Sequence, residues 1–172
     1  MEQKNNKIII KRKKTKTQDQ EYYEHVIEWT TFFRKNPHRL ISDYYGLKVY
    51  DFQKIVLYEM DKYSAYIFVG SRGIAKSTIS LLFAIERATL YPGQRIVIVA
   101  PTKEQSSRFI GKVREFMRIS YMLRQEIKEV HTSSQNSSIE FNNGSIIFAV
   151  PYGENALGKH TFMFQTYYMI KS

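Results

Sequence analysis

The sequence predicts an α/β fold: a layered domain with a largely parallel sheet. Three observations carry this. Two short apolar runs, residues 65–69 and Arg95–Ala100, have the length and sharp boundaries of buried strands. Each is followed by a stretch long enough for a helix. Further on, two strand-like segments flank Asn143-Gly144, a hairpin signal. Strand, helix, strand, helix and then more strands is the order of a layered α/β domain.

The elements follow in chain order. Tyr22, Val26, Trp29 and Phe33 recur at helical spacing, so residues 21–35 read as an amphipathic helix. Asn36-Pro37 ends it, because a residue before proline disfavours the helical region. Residues 39–45 read as a short helix closed by Gly46. Asp51 is placed to cap a helix over residues 52–62, with Ile55, Val56 and Met60 inward. Residues 65–69 form a buried strand stopped by Gly70. A helix runs over residues 76–91, and Pro92-Gly93 turns the chain into the strand Arg95–Ala100. Thr102 caps a helix over residues 103–118. Leu123, Ile127 and Val130 share one face of a further helix over residues 117–130. Residues 131–138 are a polar loop. The hairpin pairs residues 138–141 with 145–150 through a type I′ turn at Asn143-Gly144.

Composition narrows the function classes. The chain has 172 residues, enough for one domain with a real core. It has no cysteine, which excludes disulfides, thiolate metal sites and a cysteine nucleophile. No apolar run nears the ~18 residues of a membrane span, and no signal peptide is present, so a cytoplasmic protein is expected. The net charge is +10, but residues 1–16 hold seven Lys/Arg against Glu2 alone. The excess is therefore a basic tail, taken as residues 1–20, which suits nucleic acid or simply solubilises the terminus. Residues 21–63 read as a helical lead-in and 64–172 as the core. His25, His38, His131 and His160 show no ligand spacing and read as surface or core residues.

The chemistry concentrates in Gly70-Ser71-Arg72-Gly73-Ile74-Ala75-Lys76-Ser77. It fits G-x-x-x-x-G-K-[ST] with Ala75 in place of the second glycine, between a predicted strand and a predicted helix. Gly70 and Gly73 permit backbone angles that aim successive N–H groups at phosphate oxygens. The helix N-terminus adds its dipole. Lys76 supplies a cation for the β/γ-phosphates, and Ser77 a hydroxyl for Mg²⁺. Thr78 is an early helix residue. Ala75 is expected at a negative φ, where its Cβ is tolerated. Arg72 either touches the γ-phosphate or is a solvated loop arginine. The alternative for the whole segment is a glycine turn at an ordinary strand-to-helix junction.

In order, Asn36-Pro37-His38-Arg39, Tyr44-Tyr45-Gly46-Leu47, Phe52-Gln53, the loop from Gly70 to Thr78, Leu90-Tyr91-Pro92-Gly93, Pro101-Thr102 with Gln105, and Phe141-Asn142-Asn143-Gly144-Ser145 resemble the N-terminal ATPase region of bacteriophage terminase large subunits. The likeness spans residues 25–158. It implies a P-loop NTPase of the RecA/ASCE-like type, ATP and Mg²⁺ as cofactors, and packaging of double-stranded DNA into proheads. It also implies a small terminase subunit and a portal as partners, a homo-oligomeric motor, and the host cytoplasm. Gln53 stands where such motors read adenine; its amide can donate and accept, as can any surface glutamine.

The family continues with an Ala-Arg-Gly element and an apolar strand ending in Asp-Glu. Here Leu157 replaces the arginine and Gln165-Thr166 the acidic pair, and no Asp or Glu follows Glu154. An amide and a hydroxyl supply neither the charge for Mg²⁺ nor the basicity for water activation. The expectation is a truncated or degenerate copy, its sheet incomplete at the C-terminus, that binds ATP and hydrolyses it poorly. Alternatives are another helicase-like P-loop protein and a non-catalytic nucleic-acid-binding remnant.

Overall fold

The computed structural model describes residues 17–71, 73–132, 137–151 and 162–165; the side chains of 162–165 are not described. The helices are α1 (Gln18–Lys35), α2 (Pro37–Arg39), a π-helical turn (Leu40–Tyr44), α3 (Asp51–Lys62), α4 (Lys76–Leu90), α5 (Lys103–Ile119) and α6 (Tyr121–Glu126). The strands are β1 (Arg95–Ala100), β2 (Ile127–Thr132), β3 (Ser137–Phe141), β4 (Ile146–Pro151) and β5 (Phe162–Gln165).

The sheet is small and mixed, in the order β2-β3-β4-β1-β5. β4 and β5 run parallel to β1, while β2–β3 and β3–β4 are antiparallel. This overturns the expected largely parallel, RecA/ASCE-like layered sheet. Two local departures produce the difference. Residues 65–69 form no strand, and Ile67 and Val69 are 88% and 75% exposed. Only Phe68 of that run packs against the core. The predicted helix over 117–130 instead stops at α6, and Ile127–Thr132 pairs with β3. Ser120 caps α6 by accepting from the Leu123 N–H at 3.1 Å, and strand pairing then outweighs helical spacing at Ile127 and Val130.

The hairpin forms, but not through a type I′ turn. The Gly144 N–H donates to the Phe141 carbonyl at 3.0 Å, and Gly144 alone in the turn has positive φ, +83°. A type I′ turn requires positive φ at both central residues, so Asn143 does not supply one. Its side chain has another use. Asn143 Nδ2 donates to the Ala88 and Thr89 carbonyls at 2.8 and 3.1 Å, closing the C-terminal end of α4. Arg34 donates to the Leu90 carbonyl from Nη2 at 2.7 Å and from Nε at 3.2 Å. One end of α4 is thus clamped by α1 and the hairpin, and the other faces the glycine loop.

One apolar core joins the helical lead-in to the sheet. Phe33, Leu40 and Leu57 belong to the same buried cluster as Ile85, Ile98, Phe109 and Ile147. Trp29 stacks edge-on against Phe33 and Tyr44, and Tyr44 Oη donates to Glu126 at 2.7 Å. The inward face of α3 differs from expectation: Val56 and Leu57 are buried, whereas Ile55 is 64% exposed. In α1 only the C-terminal half packs, leaving Tyr22 and Val26 exposed. The helix starts at Gln18, inside the segment assigned to the tail; residues 1–16 lie outside the described ones. Val97, Val99 and Val150 form a smaller cluster apart from the main core. No helix among the described residues is long and apolar enough to cross a membrane.

Candidate functional site

The glycine loop wraps the ammonium of its own lysine. Lys76 Nζ donates to the Gly70 and Ser71 carbonyls, both at 2.7 Å. Gly70 is needed for close approach, because a Cβ there would lie 2.8 Å from Ile74 Cγ2. Gly73 has φ +91°, a conformation other residues rarely adopt. Ala75, the N-cap of α4, has φ +60° and ψ +31°. The expectation of a negative φ at Ala75 is therefore wrong: this is a left-handed position, where glycine is the unstrained choice. Arg72 lies outside the described residues.

Helix α4 begins without a side-chain cap, and no acidic residue stands in its first turn. Its leading N–H groups and the positive end of its dipole are therefore uncompensated by any carboxylate of that turn. Ser77 and Thr78 sit in this turn and line a cavity of about 290 Å³ with Leu81. The facing wall comes from α5: Gln105, Phe109, and the cations Arg108 and Lys112. Gln105 Oε1 is buried and has no hydrogen-bond partner among the described residues.

The α5 residues were not singled out as a group by sequence. The signal was present, since 105, 108, 109 and 112 follow the i, i+3, i+4, i+7 stripe of one helix face. Thr102 is a plain N-cap, its Oγ1 accepting from the Gln105 N–H at 3.3 Å. Gln53 is only 4% exposed, and its Oε1 accepts from the Tyr50 N–H at 3.0 Å. That bond closes the first turn of α3 and leaves only the amide nitrogen for any ligand.

Mg²⁺ requires oxygen ligands. Ser77 Oγ fits as one of them. β5 aligns Gln165 beside Val99 of β1, at the position where the resemblance calls for a carboxylate, and Thr166 lies outside the described residues. The residues present thus fit a metal held mainly by ligand phosphates, not one anchored by the protein.

Two further groups stand apart. Glu86 on α4 is completely buried, and neither carboxyl oxygen has a partner among the described residues. Burial, reinforced by the charge of Asp61, pushes its pKa well up, while Arg87 opposes this. On the sheet edge, Glu129, His131 and Glu140 bring one ligand atom each within 4.8 Å of one another. Sequence spacing missed this grouping because β2–β3 pairing creates it, placing Glu129 opposite Glu140. Lys128 is the extra residue of a bulge there, and its Nζ donates to Glu140 at 2.7 Å. A cation thus already neutralises that carboxylate.

The chain matches no family model and no curated protein.

Proposed function

We propose that this chain is a nucleotide-binding domain whose residues 70–78 hold the phosphates of Mg²⁺·ATP. One observation carries the reading: a loop with left-handed turns at Gly73 and Ala75 curls around Lys76 Nζ and opens into the uncapped first turn of α4. Left-handed backbone positions and a cation in one loop, next to the unpaired N–H groups of a helix start, are what a polyphosphate requires. Lys76 exchanges its two carbonyl partners for phosphate oxygens, and Ser77 offers its hydroxyl to Mg²⁺. Bound Mg²⁺ would supply charge neutralisation between the phosphates. With Gln165-Thr166 in place of an acidic pair, the domain holds ATP far better than it hydrolyses it.

The wider reading is the ATPase region of a terminase large subunit acting on double-stranded DNA. It rests on the ordered motifs between residues 25 and 158, not on the sheet. Titration of the purified chain with Mg²⁺·ATP, beside Lys76→Ala, tests the nucleotide reading. Binding lost in the variant and negligible phosphate release by either protein are the expected results. Equal binding by both proteins would remove the phosphate loop from the account.

A further inference from the structure

We infer that Glu86 is a proton-controlled latch. With its proton on, the helical lead-in stays packed on α4; loss of the proton releases the helices from α1 to α3 as one unit.

Placement comes first. Glu86 is completely buried, and neither carboxyl oxygen has a hydrogen-bond partner among the described residues. It stands near the end of α4, where the lead-in is fastened. The next residue, Arg87, holds Asp61 of α3 at 2.7 Å. Thr89 shares a hydrogen bond with Tyr45, which closes the π-helical turn. The Leu90 carbonyl accepts from Arg34 of α1. Ties to three parts of the lead-in thus lie within about one helical turn of the carboxyl.

The surroundings decide which form of the carboxyl fits. Burial acts first against ionisation, and the charge of Asp61 on α3 adds to it. Arg87 acts the other way, but its guanidinium is engaged by Asp61. Tyr45 meets Glu86 as a neutral phenol, because burial pushes its own ionisation up. Arg34 is committed to the Leu90 carbonyl. The sheet contributes Ile96, Ile98, Ile147 and Ala149 to the shared core, none of them titratable. Among the described residues, the α5 cations that reach α4 do so at its other end, beside Ser77 and Leu81. A carboxylate here has no donor and no cation of its own, and an ionised group buried so is far costlier than a neutral one. It regains water only when α3 and the π-helical turn part from α4. The lead-in is the side that yields: backbone hydrogen bonds hold the strands to one another, whereas side chains hold the lead-in to α4.

Hydrogen exchange on the full chain tests the latch, read at the amides of α3 and β1 in wild type, Glu86→Gln and Glu86→Met. Neither variant titrates at this position. Methionine also buries no carboxyl or amide, so it serves where glutamine fails to pack, and protected β1 amides report an intact fold. In wild type α3 should exchange faster than β1, through an opening smaller than full unfolding. From about pH 5 to about pH 6 that opening should grow about tenfold relative to either variant, the change one pH unit brings while only the open form ionises. His38 and Asp43, shifted groups of the lead-in, are present in all three chains and cancel in the ratio. A wild-type to variant ratio that is flat with pH would overturn the latch. So would α3 and β1 exchanging together at every pH, because the lead-in would then open only with the whole chain. Loss of β1 protection in both variants would overturn it too, since a carboxyl that only fills space in its neutral form tolerates replacement by its shape.

Discussion

Ala75→Gly should stabilise the protein. Ala75 holds φ +60° and ψ +31° at the start of α4. The left-handed region costs an L-residue about 1–2 kcal/mol, a strain glycine does not carry. Glycine also loosens the unfolded chain, which returns about 0.4–1 kcal/mol. The net gain is about 0.5–1 kcal/mol. For a chain of 172 residues, 1 kcal/mol corresponds to about 3 °C in Tm, so a rise of about 2–3 °C is expected. Ala75→Val should do the reverse and lose at least 1 kcal/mol, because a branched Cβ is a marked outlier at positive φ. Thermal unfolding followed by circular dichroism, with calorimetry as a check on two-state behaviour, measures both. A lower Tm for the glycine variant, or a neutral valine variant, would refute a left-handed Ala75 and with it the loop geometry.

Three other outcomes follow from the structure. Asn143→Ala removes two hydrogen bonds to the end of α4 and should cost about 1–2 kcal/mol, lowering Tm by about 3–6 °C while the hairpin persists. Glu86→Gln should flatten the pH dependence of stability. The folded pKa of Glu86 lies above the unfolded value of 4.5, so its neutral form is tolerated at low pH and stability falls as pH rises through the folded pKa. Denaturant titrations from pH 4 to 8 should show that decline in the wild type and not in the variant; parallel curves would contradict it. Gly73→Ala places a Cβ at φ +91° and should weaken Mg²⁺·ATP binding more than it lowers Tm; a drop in Tm with unchanged binding would contradict the loop's role.

What the sequence revealed depended on whether an element's signal was local. β1 was legible to the residue because five consecutive apolar residues, Ile96 to Ala100, lie between a Pro-Gly turn and a proline. The cap at Thr102 and the first helical residue of α4, Lys76, were legible from equally local signals. The run at 65–69 carries an equally strong apolar signal, but a strand needs a neighbour, and none pairs with it among the described residues. Ile127 and Val130, three apart, fit helical spacing and miss a two-residue period, but the bulge at Lys128 returns both to one face of β2, where they pair with Phe141 and Ile139. In the site, the glycines and lysine announced themselves through motif spacing. Gln105 stood out only through the family resemblance, and Arg108 and Lys112 not at all, because a cavity between two helices is a property of packing. Ala75 was misjudged because its backbone angle is set by the loop, not by its residue type.

The backbone amides of residues 70–78 offer the most direct test of the central claim. Proton–nitrogen spectra of the labelled chain should be recorded as Mg²⁺·tripolyphosphate is added. The account predicts the largest shifts at Gly73, Lys76, Ser77 and Thr78, and none in Lys76→Ala at the same concentration. Shifts confined to other regions, or the same shifts without Lys76, would contradict a phosphate cradle at this loop.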